Sequence, residues 1–253
     1  SRINLSKSFP FSYNIISTNG STTLNYGLQL SDGEDNNISF NTINTFGAGS
    51  DNGIVIYGGA YRNNVIKNSI TINSTGSSNY GIYILSNVTG NNVSGNTIIT
   101  NGSSSNYGIY FTNGVDNNTI YNNTIRTNGS SNTNYGIIIE SSQSNNISFN
   151  DITTTGASSN YGTYFLTRTN NNRFFNNIIR TNGTAGSNDG IRLSTNISYN
   201  NLSNNILQVR GTLLNNGITL TVSSNNNTLV NNSIHTEGNS TNNTGIYINH
   251  NST

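Results

Sequence analysis

Residues 91–100 read NNVSGNTIIT, and this stretch decides the fold because its pattern recurs through the whole chain. Its landmark is Asn96, which has an apolar residue three positions before it and another two positions after it. The same Asn returns every 27 or 28 residues, at Asn14, Asn41, Asn68, Asn96, Asn123, Asn150, Asn177, Asn205 and Asn232. A fixed period of this length is the mark of a repeat protein, in which each unit packs on its neighbours.

A second landmark lies between successive copies of the first, namely a Gly with apolar residues one and three positions after it. It falls at Gly27, Gly53, Gly81, Gly108, Gly136, Gly162, Gly190, Gly217 and Gly245. The two landmarks define four columns of nine positions, and 35 of these 36 positions are apolar although only 31% of the chain is hydrophobic. Asn-rich chains of low complexity are often disordered. The apolar columns instead predict a folded protein.

The apolar residues alternate with polar ones at a spacing of two, as in Ile82 and Ile84, which is typical of strands. Each repeat is expected to hold two clear short strands, and a third near the residue before the landmark Asn. Strands that return every 27 residues can stack into parallel sheets. The sequence therefore predicts an all-β fold, a right-handed parallel β-helix of about nine coils, roughly 43 Å tall at ~4.8 Å per coil. An inward Thr column, which includes Thr127, is expected to bond to neighbouring coils.

The stretch from Asn91 to Ile98 resembles the parallel β-helix repeat of pectate-lyase-like proteins. The same repeat occurs in copper-site accessory proteins of nitrous oxide reductase and in archaeal and bacterial surface proteins. The resemblance covers the whole chain and implies the scaffold, not an activity. The nine landmark Asn residues are expected to form a structural ladder of hydrogen bonds between coils.

A longer period indicates how the β-helix is organised. Asn14, Asn123 and Asn232 lie 109 residues apart, and the segment NNISFN at 36–41 returns at 145–150. We therefore expect one solenoid domain over 1–253, built from four-coil units in tandem.

The composition bears on partners and compartment. A net charge of +1 gives no electrostatic footprint for nucleic acid, and no apolar run is long enough to span a membrane. Asn-x-Ser/Thr sequons are frequent, and those placed in predicted turns are candidates for N-glycosylation in an extracellular or cell-surface protein. The candidate residues are Asn19, Asn73, Asn101, Asn128, Asn182 and Asn239.

Few residues are candidates for chemistry, and we predict no catalytic residue, cofactor or metal site. Asp32, Glu34 and Asp35 are the only clustered acids, expected to form a solvated turn, with a calcium site as the alternative. Asp116 is expected to share the column of Asp35, three coils away. The only histidines, His235 and His250, fall on different strands, which argues against copper or zinc.

Tyrosines are the notable surface side chains. Tyr83, Tyr110 and Tyr164 follow the recurring Gly by two positions and are expected to point outward, with Tyr83 stacked on Tyr110. Such a ladder can stiffen the sheet, or it can bind sugar rings or a neighbouring subunit.

The main functional hypothesis is a non-enzymatic extracellular structural protein, a segment of a filament, sheath, surface layer or adhesin stalk. Its partners are expected to be copies of itself stacked head to tail, together with N-glycans or polysaccharide. The alternative is a carbohydrate-active module, such as a polysaccharide lyase or glycoside hydrolase, or a carbohydrate-binding one. It would use Tyr83, Tyr110 and the Asp116 turn.

Overall fold

A computed structural model describes residues 7–21, 24–238 and 242–249. The described residues form 27 short strands and no helix, so no helix in this part of the chain could cross a membrane. Each coil contributes one strand to each of three sheets, and every sheet holds nine parallel strands. The predicted all-β parallel β-helix of about nine coils is confirmed, and the third strand of each repeat is present.

The strands of the first sheet have three residues each, and those of the second and third sheets are longer. The first sheet contains β1 (Pro10–Ser12), β4 (Asn37–Ser39), β7 (Asn64–Ile66), β10 (Asn92–Ser94), β13 (Thr119–Tyr121), β16 (Asn146–Ser148), β19 (Arg173–Phe175), β22 (Asn201–Ser203) and β25 (Thr228–Val230). The second sheet contains β2 (Ile15–Gly20), β5 (Thr42–Gly47), β8 (Ser69–Ser74), β11 (Thr97–Gly102), β14 (Thr124–Gly129), β17 (Asp151–Gly156), β20 (Ile178–Gly183), β23 (Ile206–Gly211) and β26 (Ser233–Gly238). The third sheet contains β3 (Asn25–Ser31), β6 (Asp51–Tyr57), β9 (Asn79–Leu85), β12 (Asn106–Thr112), β15 (Tyr135–Glu140), β18 (Tyr161–Leu166), β21 (Asp189–Ser194), β24 (Asn216–Thr221) and β27 (Thr244–Ile248).

The core is a single apolar column inside the coils. Ile84, Ile98 and Ile120, one from each sheet, are fully buried, and the same holds for their equivalents in the inner coils. The register places like on like, so that Ile98 pairs with Ile70 on one side and with Ile125 on the other. Burying each such side chain stabilises the fold by about 1.5–3 kcal/mol before the entropy of ordering is subtracted.

The recurring Gly lies where the second and third sheets pack closely together. A Cβ atom built on Gly136 would lie 2.1 Å from Cγ2 of Ile152 and 2.5 Å from the carbonyl oxygen of Gly162. Both contacts come from the following coil, one from the second sheet and one from the third. The Gly is therefore required by space, because only a residue without a side chain fits between these sheets.

Three Asn ladders run along the coils, of which the sequence analysis identified one. In that first ladder, Oδ1 of Asn123 accepts from the backbone N–H and from Nδ2 of Asn96, both at 2.9 Å. Its own Nδ2 donates to Asn150 Oδ1 and to the Val93 carbonyl, each at 2.9 Å. The same pattern connects the rungs from Asn14 to Asn232, so the predicted ladder is confirmed.

The second and third ladders lie at the two other corners of the coil. The second consists of Asn36, Asn63, Asn91, Asn118, Asn145, Asn172, Asn200 and Asn227. The third consists of Asn25, Asp51, Asn79, Asn106, Asn134, Asn160, Asn188, Asn215 and Asn243. Asp51 is the one acidic rung, and its buried Oδ2 has no partner among the described residues. Together the ladders satisfy buried polar groups at the corners.

The residue before every rung of the first ladder has a left-handed backbone. This column contains Tyr13, Phe40, Lys67, Gly95, Asn122, Phe149, Asn176, Asn204 and Asn231. Gly and Asn tolerate this conformation, whereas a residue such as Phe40 or Phe149 adopts it at a cost of roughly 1–2 kcal/mol. The ladder bonds that follow hold the turn in place.

The inward Thr column does not behave as expected. Thr18, Thr45, Thr100, Thr127, Thr154 and Thr181 have buried hydroxyls without a hydrogen-bond partner among the described residues. The prediction that a neighbouring coil supplies a partner is wrong for these residues, because no described donor or acceptor lies within hydrogen-bond distance of their hydroxyls.

We expect Thr127→Val to raise the free energy of unfolding by about 1 kcal/mol, since it removes a buried unpaired hydroxyl at nearly constant shape. The column already accepts apolar residues at Ile72 and Val209, both fully buried. Urea denaturation followed by circular dichroism measures the change. A loss of stability would show that the hydroxyl has a partner in solution.

Candidate functional site

Seven tyrosines form one continuous cluster on the outer face of the third sheet. We call this set the tyrosine cluster; its members are Tyr80, Tyr83, Tyr107, Tyr110, Tyr135, Tyr161 and Tyr164. In the first column, Tyr80, Tyr107, Tyr135 and Tyr161 stack face to face, with ring centroids 4.9–5.2 Å apart. The 4.8 Å spacing of the strands places the rings at this distance.

The second column holds the tyrosines that the sequence analysis singled out. Tyr83 stacks on Tyr110 with centroids 5.1 Å apart, as expected. Tyr164 does not continue this stack, because Ile138 intervenes; it meets Tyr135 and Tyr161 edge to face. The stacked rings cover one another's faces, so they present mainly edges and hydroxyls. This arrangement suits a stiffening ladder better than a platform for sugar rings.

One phenol of the cluster is bonded to a carboxylate. The Tyr110 hydroxyl donates to Glu140 Oε2 at 2.5 Å, and the Thr112 hydroxyl donates to the same oxygen at 3.1 Å. Burial raises the pKa of Tyr110 well above its ordinary value, and the bond to Glu140 raises it further. Burial is the main reason that the pKa of Tyr107 rises to about 12. Tyr107 and Tyr110 are therefore protonated at neutral pH.

The cluster ends at a buried ion pair. The Arg192 guanidinium lies 5.2 Å from the Tyr161 ring centroid and pairs with Asp189 at 2.8 Å. Burial raises the pKa of Asp189, against the opposing effect of Arg192. Beyond this pair, smaller outward residues on the next coils, among them Asn216, leave a cleft of about 460 Å³ that Tyr247 also lines.

The turn that holds Asp32, Glu34 and Asp35 forms ion pairs, whereas the sequence analysis expected a solvated turn or a calcium site. Arg62, one coil away, bonds Asp35 at 2.7 Å and Glu34 at 2.8 Å, and Lys7 reaches Glu34 at 3.5 Å. The bond from Arg62 lowers the pKa of Asp35. Asp32 instead accepts from the Ser31 hydroxyl at 2.6 Å. Two of the three carboxylates that calcium would need, Glu34 and Asp35, are therefore bound to cations.

Asp116 does not lie where the sequence analysis put it. It pairs in register with Thr89 and, through Tyr61, belongs to the column of Glu34 rather than that of Asp35. The 28-residue step from Tyr61 to Thr89 shifts the column by one position. Asp116 accepts from the Gln143 backbone at 2.7 Å and precedes the first sheet, whereas Tyr83 and Tyr110 lie on the third. Tyr83, Tyr110 and Asp116, which were predicted to bind carbohydrate together, therefore do not lie on one face.

The glycosylation candidates lie in strands of the second sheet rather than in turns. Asn101, Asn128 and Asn182 follow an inward Thr and therefore point outward. Asn101 donates to Asn73 at 2.7 Å, and Asn128 donates to Asn101 at 2.9 Å. Asn19 also lies in a strand of this sheet. Asn239 lies outside the described residues. Glycosylation of these residues stays a prediction.

The single described histidine is not arranged as a metal ligand. His235 is exposed and bonded to Glu237 at 2.5 Å, and Glu237 also pairs with Arg210 at 2.8 Å. His250 lies outside the described residues. Within 7–21, 24–238 and 242–249, no three His, Asp or Glu side chains form a group that could hold a metal ion.

The sequence analysis did not identify Glu140, Arg62 and Arg192 as hydrogen-bond or ion-pair partners of other side chains. Each bonds a side chain on the same or a nearby coil, 3 to 30 residues away in sequence. The repeat period itself was the signal, because residues about 27 apart are axial neighbours. The missed ladders were also visible in the sequence, as Asn five positions before every first-ladder rung except Asn14 and as Asn or Asp two positions before each recurring Gly.

Comparison with known proteins found similarity to one family model and to several solved structures. The family model described as periplasmic copper-binding protein (NosD) matches residues 73–185, which is less than half of the chain. The chain is a parallel β-helix repeat protein. A crystal structure of the periplasmic alginate epimerase AlgG is similar to this β-helix protein at 15% identity and a TM-score of 0.43, over 88% of this chain. A single-substitution variant of AlgG gives 12% identity and a TM-score of 0.45, over 98% of this chain and 76% of AlgG.

This β-helix protein spans 60% of the length of the first AlgG structure. No curated protein matches its sequence.

Copper does not fit the residues of this β-helix protein. Copper sites in proteins are built from His, Cys and Met side chains. The chain has no Cys, no Met and two His. The described histidine, His235, is engaged with a carboxylate on the exposed face of the second sheet. The copper chemistry in the description of the matching family therefore does not extend to this chain.

Proposed function

We propose that this chain is a non-enzymatic structural β-solenoid of the cell exterior whose copies stack head to tail. It would serve as a segment of a filament, sheath, surface layer or adhesin stalk. The observation that carries the proposal is the direction of the ladders, because it makes the two ends of the coil stack complementary.

The ladder bonds all run one way. At each step that starts from an Asn rung, Nδ2 donates to the side-chain oxygen of the rung in the following coil, as Asn14 does to Asn41 and Asn205 does to Asn232. Asp51, which has no Nδ2, donates its backbone N–H to Asn79 Oδ1. Among the described residues, nothing donates to Oδ1 of Asn14, and nothing accepts from the backbone N–H of Asn232. One end thus offers acceptors and the other offers donors, so a second copy can continue the ladder only head to tail.

Among the described residues, the apolar interior is uncovered at the same two ends. Ile246 and Ile248 are 47% and 57% exposed, whereas their equivalents Ile218 and Leu220 are 0% and 3% exposed. At the other end, Phe11 and Ile16 are half-buried members of the same core. Stacking would cover these side chains and pair both strand edges, which otherwise attract other chains. A contact of this heterologous kind repeats without closing, so it grows a filament.

The cell exterior is part of the proposal. The matching family is described as periplasmic, which supports a location outside the cytoplasm. The near-neutral, Asn-rich surface and the outward sequons at Asn128 and Asn182 are compatible with glycan attachment there.

Carbohydrate binding is the second candidate function, and the cleft beside Asp189 favours it. The cleft combines a cation, Arg192, a side-chain amide, Asn216, and an aromatic ring, Tyr247. Its volume of about 460 Å³ lies within the usual range for small-molecule sites.

Stacking is tested by sedimentation velocity and negative-stain electron microscopy over a series of concentrations. We expect length to grow with concentration for the wild-type chain. Ile246→Arg should abolish growth because it places a charge in the end-to-end contact. Tyr199→Arg, at a 63% exposed residue on the side of the coil stack, is the matched control and should assemble normally. Monomers at every concentration, or equal assembly of both variants, would rule out the proposal.

A further inference from the structure

We propose that the tyrosine cluster is a relay for one-electron oxidation, in which the oxidised state comes to rest on Tyr110 and its proton passes to Glu140. This function is separate from the proposed structural role, and either could hold without the other.

The first requirement of a relay is an unbroken series of close rings. All seven rings of the cluster are connected by centroid distances between 4.9 and 5.6 Å. Where Ile138 interrupts the second column, Tyr135 joins Tyr107 to Tyr164. Electron tunnelling falls off exponentially with distance, so contacts of this length permit hopping from ring to ring over the coils from Tyr80 to Tyr161.

The second requirement is a place for the proton. A phenol that loses an electron becomes strongly acidic, and a neutral tyrosyl radical forms only if a base accepts its proton. Among the described residues, one phenol of the cluster has a carboxylate as hydrogen-bond partner, namely Tyr110, which donates to Glu140 at 2.5 Å. Tyr80, Tyr107 and Tyr161 instead have serine partners, which are poor bases.

The third requirement is a direction. At the far end, the positive charge of the Arg192 guanidinium over Tyr161 is offset by Asp189, its ion-pair partner at 2.8 Å. At Tyr110, the carboxylate of Glu140 stabilises the loss of an electron and accepts the proton. Glu140 therefore favours Tyr110 over Tyr161 as the place where the oxidised state rests.

The proposed oxidation moves one electron and one proton. A one-electron oxidant takes one electron from a ring of the cluster and is reduced by one unit. Tyr110 fills the resulting vacancy with an electron of its own, its O–H bond breaks, and the proton forms a bond with Glu140 Oε2. The products are a neutral tyrosyl radical and a neutral carboxylic acid.

Photogenerated tris(bipyridine)ruthenium(III), with persulfate as the electron acceptor, supplies the oxidant for a test. The radical is followed by electron paramagnetic resonance, and oxidised tyrosines are mapped by peptide mass spectrometry. We expect the radical to collect in the cluster although Tyr13 and Tyr199 are far more exposed, at 77% and 63%. Tyr110→Phe, which preserves the ring stack, should lower the yield of long-lived radical several-fold. Tyr199→Phe is the matched control and should lower it only slightly.

Glu140→Gln provides a second readout, because it keeps the shape and removes the base. Radical formation should become slower, and the slowing by D2O that we expect for the wild type should become smaller. Oxidation products concentrated at Tyr13 and Tyr199 would overturn the relay. Equal yields from Tyr110→Phe and Tyr199→Phe would overturn the assignment to Tyr110.

Discussion

Gly136→Ala is expected to lower the free energy of unfolding by about 3 kcal/mol, at the upper end of what overpacking a core costs. The added Cβ would lie 2.1 Å from Ile152 Cγ2 and 2.5 Å from the Gly162 carbonyl oxygen. A side chain can rotate away from such a contact. A backbone carbonyl that is part of a sheet cannot, so the two sheets must separate locally.

Gly245→Ala is the matched control. Gly245 occupies the same column, but its added Cβ would have no atom within 4 Å. We therefore expect this variant to be neutral or more stable by about 0.4–1 kcal/mol, because Ala restricts the unfolded chain. Urea denaturation of both variants, at a concentration low enough to keep the protein monomeric, compares them. Equal effects at the two positions would show that close packing is not the reason for the recurring Gly.

Asn123→Leu is expected to lower the free energy of unfolding by about 3–5 kcal/mol, because several buried polar groups each lose a hydrogen-bond partner. Leu fills a similar volume but forms none of the four side-chain hydrogen bonds of Asn123. Its loss leaves the N–H and Nδ2 of Asn96 short of an acceptor and the Val93 carbonyl short of a donor. These groups are buried, so water cannot replace the lost partner without opening the corner.

Asn201→Ala serves as the control, since Asn201 is an exposed strand residue for which no side-chain hydrogen bond is seen. It should change stability by no more than about 0.5 kcal/mol. Hydrogen exchange locates the effect of Asn123→Leu, which should be greatest in the coils on either side of Asn123, because stability in solenoids is set by neighbouring repeats. A uniform effect over all nine coils would contradict this view.

The sequence predicted the scaffold well because the scaffold depends on columns. Apolar residues at fixed steps, such as Ile84 and Ile98, can only be inward, and the structure buries both completely. The first ladder was predicted for the same reason. The left-handed turn before each rung left only a partial signature, because Gly and Asn occupy most of its positions but Phe40 and Lys67 also adopt it. There the conformation is imposed by the ladder bonds and not by the residue type.

Contacts between coils were harder to predict. A step of 28 instead of 27 shifts a column by one residue, which misplaced Asp116 relative to Asp35. The Thr hydroxyls failed for a geometric reason, since the column pattern shows which residues point inward but not whether their polar atoms can reach one another. The bond from Tyr110 to Glu140 spans 30 residues and follows from no motif.

The uniform orientation of the ladder amides has an electrostatic consequence. In the three ladders, the side-chain oxygens point towards the coil that begins the chain, and one N–H of each bonded Asn amide points towards the coil that ends it. The C=O dipoles of these amides add along the axis, in the way that peptide dipoles add in an α-helix. The ladders therefore contribute a dipole of one sense to the rod, and this contribution favours opposite directions for two rods lying side by side.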